Sequence, residues 1–405
     1  VTTAIEARRD LPSDDAALDG PQLDTIAAAL EDGVARGDLS GFYRAFRATE
    51  LPFMLEAHAG DVAGLFRRVF RVLHRLGGIS PAAALAVENH YYVSSAIGTF
   101  PASDDPVLEE RKHALLASLV GGRQLVANTN SKVHGGKLGE VGTRAVREAG
   151  GFRISGTAAY TSLATQGDLL VFITQIEGEG PAVFSITPMQ GNPAVEIGPF
   201  LFPTAMLDSD TRKISFHDLV LPANALVAGG RDTQPALTGL LFSFEMAWHQ
   251  LLIPALYLGA AARAIEEVRR FLRATRGRDE RPLAELDGMV VDVGRLAIEY
   301  RAACCVVERA GEALDAVKHL PRDAELLGRA VDLAGAAKYV GTRCAEEVVT
   351  AARRIVGARS FAGGHHLERL SQEVMFGPLG PEVSAVIERR YGRQALGERS
   401  FVDGA

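Results

Sequence analysis

Hydrophobic and polar residues change their rhythm twice along the chain. Residues 1–120 follow a helical rhythm. In Val107–Leu116, apolar residues recur at helical spacing with Glu109, Glu110, Arg111, Lys112 and His113 between them. Ala82–Ile97 is small and apolar throughout, which predicts a buried helix stopped by Gly98. From residue 121, glycine and β-branched residues rise and the runs shorten: Phe152–Gly156, Leu169–Thr174, Ala182–Ile186 and Lys213–Phe216. Gly150-Gly151 and Gly191-Asn192-Pro193 separate them as turns, which predicts an antiparallel β domain. From residue 236 the helical rhythm returns. Leu286, Val290, Val293, Leu296 and Tyr300 mark one face, and the Ala-rich stretch Ala324–Ile355 ends at Gly357, a helix stop. A closing helix is predicted over Glu382–Leu396. The expectation is an α+β chain of three parts: an N-terminal helical domain (1–120), a middle antiparallel β domain (121–235) and a C-terminal four-helix bundle (236–405).

Composition narrows the classes. The 405 residues are 47% hydrophobic and 23% charged, which suits globular domains with substantial cores. A net charge of -7 and the lack of a Lys/Arg block argue against nucleic acid as a partner. The longest apolar run, Leu251–Ala262, carries Pro254 and Gly259 and is too short to span a bilayer, so no membrane partner is expected. Val1–Asp15 is charged and lacks an apolar signal region, which points to the cytoplasm. Cys304, Cys305 and Cys344 show no metal or redox spacing and read as small hydrophobes in a reducing compartment. His365-His366 has no third ligand at metal spacing, so no metal site is expected.

Several segments carry a resemblance. Gly142-Thr143-Arg144-Ala145 is followed by Gly156-Thr157-Ala158-Ala159-Tyr160-Thr161-Ser162, then by Ser209–Arg212 and Phe216–Pro222. Later come Arg276 ahead of Arg281-Pro282-Leu283, Gly357–Phe361, His366–Arg369 and Phe376–Glu382. In this order they resemble the acyl-CoA dehydrogenase superfamily, and the likeness runs along most of the chain. It implies a bound flavin, FAD or a reduced FMN or FAD taken up from solution. It also implies a homodimer or homotetramer, and an acyl-CoA or acyl carrier protein substrate. A separate flavin reductase or an electron acceptor would complete the electron path.

The resemblance assigns candidate residues. Tyr160 and Ser162 match positions beside the isoalloxazine, and alternation along a strand puts both on one side. Thr129 and Ser131 stand in the loop that meets the pyrimidine end, although the family's Gly-Ser-Asp is replaced here by Gly135-Gly136-Lys137. Arg276 matches an Arg on the diphosphate of a neighbouring subunit's flavin, where a guanidinium forks onto phosphate oxygens. Gly357 and Ala358 match small residues along which the cofactor's ADP part runs.

Two replacements bear on mechanism. The family's catalytic glutamate position is Pro381, which holds no proton; Glu382 is its neighbour. Some members carry the base on the first C-terminal helix, at a fixed distance before a Leu-Gly pair. Leu258-Gly259 here points to His249. The next residue, often an Arg near the thioester, is Gln250, and His90 lies where the N-terminal helices meet the site. His249 and Glu382 are therefore the candidate bases, and Gln250 and His90 the candidate substrate contacts. Three readings follow: dehydrogenation of an unusual acyl thioester with a relocated base, monooxygenation by reduced flavin and O2, or a non-catalytic binding or assembly role.

Overall fold

The computed structural model of the chain describes residues 16–58, 60–129, 141–380 and 382–397. It opens with α1 (Ala16–Arg36), α2 (Ser40–Ala48), α3 (Val62–Gly77), α4 (Pro81–Thr99) and α5 (Pro106–Gly121). Side chains fix three of these starts. Asp61 accepts from the Gly64 amide, Ser80 from that of Ala83, and Asp105 from those of Val107 and Leu108. Pro81 and Pro106 take the first helical turn, where a missing N–H costs nothing. Helix α4 passes through Gly98 and ends one residue later, before Pro101. Nearly all of it is buried, including Glu88, Asn89, His90, Ser94 and Ser95, so these polar groups need partners inside the protein.

Eight strands follow: β1 (Val126–Thr129), β2 (Thr143–Glu148), β3 (Gly151–Thr161), β4 (Leu169–Ile176), β5 (Gly180–Ile186), β6 (Val195–Phe200), β7 (Arg212–Pro222) and β8 (Leu226–Gly229). The sheet runs β6-β7-β3-β2-β4-β5-β8, with β1 also on β4. The expected antiparallel pairing holds except at two places. β1 and β2 both lie parallel to β4 and share one of its edges, β1 against Leu169–Phe172 and β2 against Gln175–Ile176. All four residues of β1 are buried, as parallel strands covered on both faces are. Gly156 sits in the bulge between β3 and β7 at φ +119, where a Cβ would lie 2.4 Å from the Gly142 carbonyl oxygen.

The second helical half comprises α6 (Pro235–Ala274), α7 (Asp287–Asp315), α8 (Ala324–Val356), α9 (His366–Glu373) and α10 (Ser384–Ala395). The predicted closing helix thus begins two residues late, after Glu382, for a reason given below. Helix α6 is the spine, buried without interruption from Gln250 to Ala261. It crosses α3 with the backbones in contact. A Cβ on Gly77 would sit 2.0 Å from the Leu256 carbonyl oxygen, and one on Gly259 would sit 2.0 Å from that of His74. One continuous core joins the helices before and after the sheet; a second, around Phe152, Phe172, Phe184 and Phe216, lies within the sheet. Among the described residues no helix is long and apolar enough to cross a membrane.

Candidate functional site

Helical spacing builds a polar seam between α4 and α6. Glu88 and Tyr92 are four apart on α4, and Glu245 and His249 four apart on α6, so each pair shares a face. Glu88 is fully buried; its Oε1 lies 3.1 Å from His249 Nδ1, while its Oε2 has no partner. The Tyr92 and His249 rings are 4.7 Å apart between centroids. From β1, Asn128 donates its side-chain Nδ2 to Glu245 Oε1 at 3.1 Å and its backbone N–H to Asn89 Oδ1 at 2.9 Å. Burial pushes the Glu88 carboxyl up, opposed in part by His249. Burial, then Glu245 and Glu88, push the Tyr92 phenol well above its ordinary range.

One residue beyond Asn128, the seam meets an aromatic shelf. The Thr129 hydroxyl donates to the Ala159 carbonyl at 3.2 Å, beside Tyr160. Tyr160 is 48% exposed and sits at φ +62, a backbone region that costs an aromatic residue strain. Its ring stacks on Phe202 at 6.1 Å and 25°, and Phe202 meets Phe376 edge-on at 4.9 Å. Ser162 does not share this face, contrary to the alternation expected. It is buried, with Oγ 2.9 Å from Thr211 Oγ1, because a bulge between Ala158 and Thr161 and positive φ at Tyr160 and Leu163 break the strand's period. Ser131 lies outside the described residues.

A second group gathers at the far end of the bundle. Arg276 follows α6 in an exposed loop, with Nη1 on the Glu280 carbonyl at 2.5 Å. Gly357 ends α8 at φ 73 and ψ -151, with nothing within 4 Å of where a Cβ would be, and Ala358 beside it is exposed. Arg359 Nη1 reaches Thr275 Oγ1 at 3.5 Å, which ties the two helix ends together. The length of α6 between Glu245 and this end is about 40 Å at 1.5 Å per residue.

The remaining candidates have structural duties. Glu382 is buried; its Oε2 accepts from Arg390 Nη1 at 2.7 Å and from Gln250 Nε2 at 3.3 Å. Lys338 Nζ donates to the carbonyls of Glu382 at 2.8 Å and Gly380 at 3.1 Å, and burial lowers its ammonium to about 8. These bonds hold Glu382 outside α10, which is why that helix starts at Ser384. Gln250 points to this cluster while His249 points to α4, as a turn of about 100° per residue requires. Gln250 therefore faces about 100° around α6 from His249, away from Glu88. His90 is also withdrawn from substrate contact. Its Nδ1 accepts from the Val126 amide at 3.1 Å and its Nε2 donates to the Pro52 carbonyl at 2.7 Å, so both nitrogens are committed. Burial lowers it to about 4 and keeps it neutral. His365 Nδ1 caps α9 through the Leu367 amide at 3.2 Å. Among the described residues no three His, Cys, Asp or Glu side chains come together for a metal.

Sequence reasoning missed Glu88, Tyr92, Asn128 and Glu245. A signal was present for two of them: Glu88 and Glu245 are lone carboxylates inside apolar helices, and burying one needs a reason.

Residues 243–380 match the family described as acyl-CoA dehydrogenase, C-terminal domain. Butyryl-CoA dehydrogenase from Megasphaera elsdenii superposes with a TM-score of 0.80 over 96% of this chain and 99% of its own, at 16% identity. The chain thus has the fold of the acyl-CoA dehydrogenases, and residues 243–380 match their C-terminal domain. FMN-bound TdsC from Paenibacillus sp. A11-2, a dibenzothiophene monooxygenase, has the same fold, with a TM-score of 0.78 over 94% and 98% of the two chains at 18% identity. By sequence, the chain is 25% identical to the "Putative acyl-CoA dehydrogenase YdbM" of Bacillus subtilis (strain 168) over 80% of both chains. It is 22% identical to the isobutylamine N-hydroxylase of Streptomyces viridifaciens over 74% of both. The proteins this chain resembles thus include ones named for dehydrogenation and ones named for oxygenation. The residues at the α4–α6 seam bear on which chemistry runs here.

Proposed function

We propose that this chain is a flavin-dependent monooxygenase built on the acyl-CoA dehydrogenase fold. One observation carries the reading. The carboxylate nearest the superfamily's base position, Glu382, is buried and bound to Arg390 at 2.7 Å and to Gln250 at 3.3 Å, while position 381 is proline. Removing an α-proton from a thioester needs a free base near the substrate; oxygenation by a reduced flavin does not.

The residues present fit a flavin. Tyr160 offers an exposed, strained ring on an aromatic shelf, which suits a flat cofactor, and Thr129 lies beside it. Arg276, Gly357 and Ala358 gather at the other end of α6 from Glu245 and His249, on the loop after α6 and at the end of α8. They fit the ADP or phosphate end of a flavin held by a neighbouring subunit, in a homodimer or homotetramer. A bound reduced flavin supplies two electrons to dioxygen, and a separate flavin reductase provides it. The chain's own contribution is to exclude water with the apolar walls of α4 and α6 and to manage one proton. His249 has Nδ1 on Glu88, which leaves Nε2 to give or take a proton at the substrate. Burial favours the neutral acid of Glu88, so the pair can hold that proton between turnovers.

The second reading keeps dehydrogenation, with His249 as the base; its place on the first C-terminal helix favours it. Anaerobic mixing of oxidised, flavin-loaded protein with acyl thioesters separates the two. Under the monooxygenase reading no thioester bleaches the flavin. Reduced flavin then consumes O2, and His249→Ala raises hydrogen peroxide release by about tenfold or more. Bleaching by a thioester, lost in His249→Ala, overturns the proposal.

A further inference from the structure

We infer that Lys338 is a positioning residue for the flavin: it fastens the strap Val374–Gly380 to α8 and so sets the aromatic shelf that meets the cofactor. This rests on the reading above that the shelf of Tyr160 and Phe202 receives the flavin ring. The strap leaves α9 as a short helical turn, Val374–Leu379, and Gly380 (φ -66, ψ 159) takes it into extended chain. It is secured in three places. At its start, Glu373 accepts from the Ala82 amide at 2.9 Å and the Ser80 hydroxyl at 3.1 Å on α4. At its middle, Gly377 lies against α8 and α6, where a Cβ would meet Thr342 Cβ at 3.0 Å and Tyr257 Cε2 at 3.2 Å. At its end, Lys338 Nζ donates to the carbonyls of Pro378 at 3.4 Å, Gly380 at 3.1 Å and Glu382 at 2.8 Å. Lys338 and Thr342 are four apart, so one face of α8 carries both of its fastenings. Between the fastened points Phe376 reaches Phe202, edge-on at 4.9 Å, and Phe202 stacks on Tyr160.

A lysine at this place needs a reason. Its side chain is wholly buried, and an ammonium inside protein is costly unless its donors are met. Here they are met by three backbone carbonyls, one for each N–H. Contacts of that kind fix the path of a chain segment rather than the rotamer of another side chain. The carboxylate of Glu382 is taken by Arg390, so the lysine holds the main chain and the arginine the side chain of one residue. The path matters because Phe376 is part of it. A gap of about 1 Å at the Phe376–Phe202 contact forfeits roughly half of its dispersion attraction. Phe202 and Tyr160 are then free to turn, and a flat ring laid on them loses a fixed partner. Lys338 therefore acts on the cofactor through Phe376 and touches neither the flavin nor the substrate.

The test is a fluorescence titration of the full chain with FMN and with FAD. It needs no turnover, so it stands whether the chain oxygenates or dehydrogenates. Phe376→Ala and Lys338→Met should each weaken binding of the tighter flavin about tenfold, and the double variant should also be weaker by only about tenfold, because both changes release the same ring. A merely structural lysine would instead add its effect to that of Phe376→Ala; losses that multiply to about a hundredfold overturn the inference. Lys338→Met at parental affinity, with Phe376→Ala weakened, overturns it too and leaves the shelf standing. Phe376→Ala and Tyr160→Ala both at parental affinity would sink the shelf reading, and this inference with it. A second measurement serves if Lys338→Met does not fold. Coupling between two sites is reciprocal, so flavin bound to the unmodified protein should slow hydrogen exchange of the 374–380 amides by about threefold or more. Exchange there that is the same with and without bound flavin overturns the inference with no variant at all.

Discussion

Glu373 is the buried acid whose effect on folding can be worked through. It closes α9, and its Oε2 accepts from the Ala82 amide at 2.9 Å and the Ser80 hydroxyl at 3.1 Å, pinning α9 to the start of α4. Its nearest cation, Arg369 Nη1, stands 3.5 Å away and is drawn to Asp208 at 2.7 Å. Burial therefore dominates and raises the carboxyl from 4.5 to about 7. The folded protein holds this proton more tightly than the unfolded chain. Between pH 4.5 and 7 the folded state is the more protonated, so stability falls as pH rises through that window and levels off above it. The gap amounts to about 3 kcal/mol. Glu373→Gln keeps an acceptor for Ala82 and has nothing to titrate. Measured by urea unfolding at fixed protein concentration, the variant should gain about 3 kcal/mol on the parent between pH 4.5 and 7.5. The reasoning fails if the difference between the two is flat across that range, or grows toward acid.

Three further outcomes are expected. Glu382→Gln leaves the buried Arg390 without its carboxylate and should cost about 3–5 kcal/mol in unfolding free energy, with turnover per folded molecule unchanged; a large loss of turnover in folded protein would return Glu382 to the chemistry. Arg276→Ala, on an exposed loop, should weaken flavin binding about tenfold in a fluorescence titration while the melting temperature stays within about 2 °C of the parent. Tyr160→Ala should also lower flavin affinity about tenfold, and it relieves the strained φ only in part; unchanged affinity would remove the shelf from the cofactor site.

Much of the fold was legible because it rests on local rules. Gly357 marks the end of α8 where its turn signal placed it, whereas α4 runs one residue past Gly98. The sheet was legible in its turns and less so in its pairing, since the parallel entry of β1 beside β4 depends on residues 43 apart, Val126 and Leu169, finding one another. In the site, His249 was readable from its spacing to Leu258-Gly259, whereas its partner was not. Glu88 is 161 residues away in sequence, and only the crossing of α4 and α6 brings them to 3.1 Å. Tyr160 and Ser162 show the opposite failure: strand alternation is a sound local rule, and a bulge cancelled it. Glu382 looked free because Arg390 and Lys338 act on it through tertiary contacts.

The glycine crossing of α3 and α6 has a consequence for how such a site can be changed. A Cβ at Gly259 would sit 2.0 Å from the His74 carbonyl oxygen, so only glycine lets α6 and α3 approach this closely. The helix is keyed at that point, ten residues from His249. Inserting or deleting one residue between them would swing His249 and Glu245 by about 100° away from Glu88 and Tyr92. New specificity on this scaffold therefore has to come by exchanging side chains at fixed stations along α4, α6 and β1. A designer who wants a different substrate should keep the length of α6 constant and vary Glu88, Tyr92, Asn128 and Glu245 as a set.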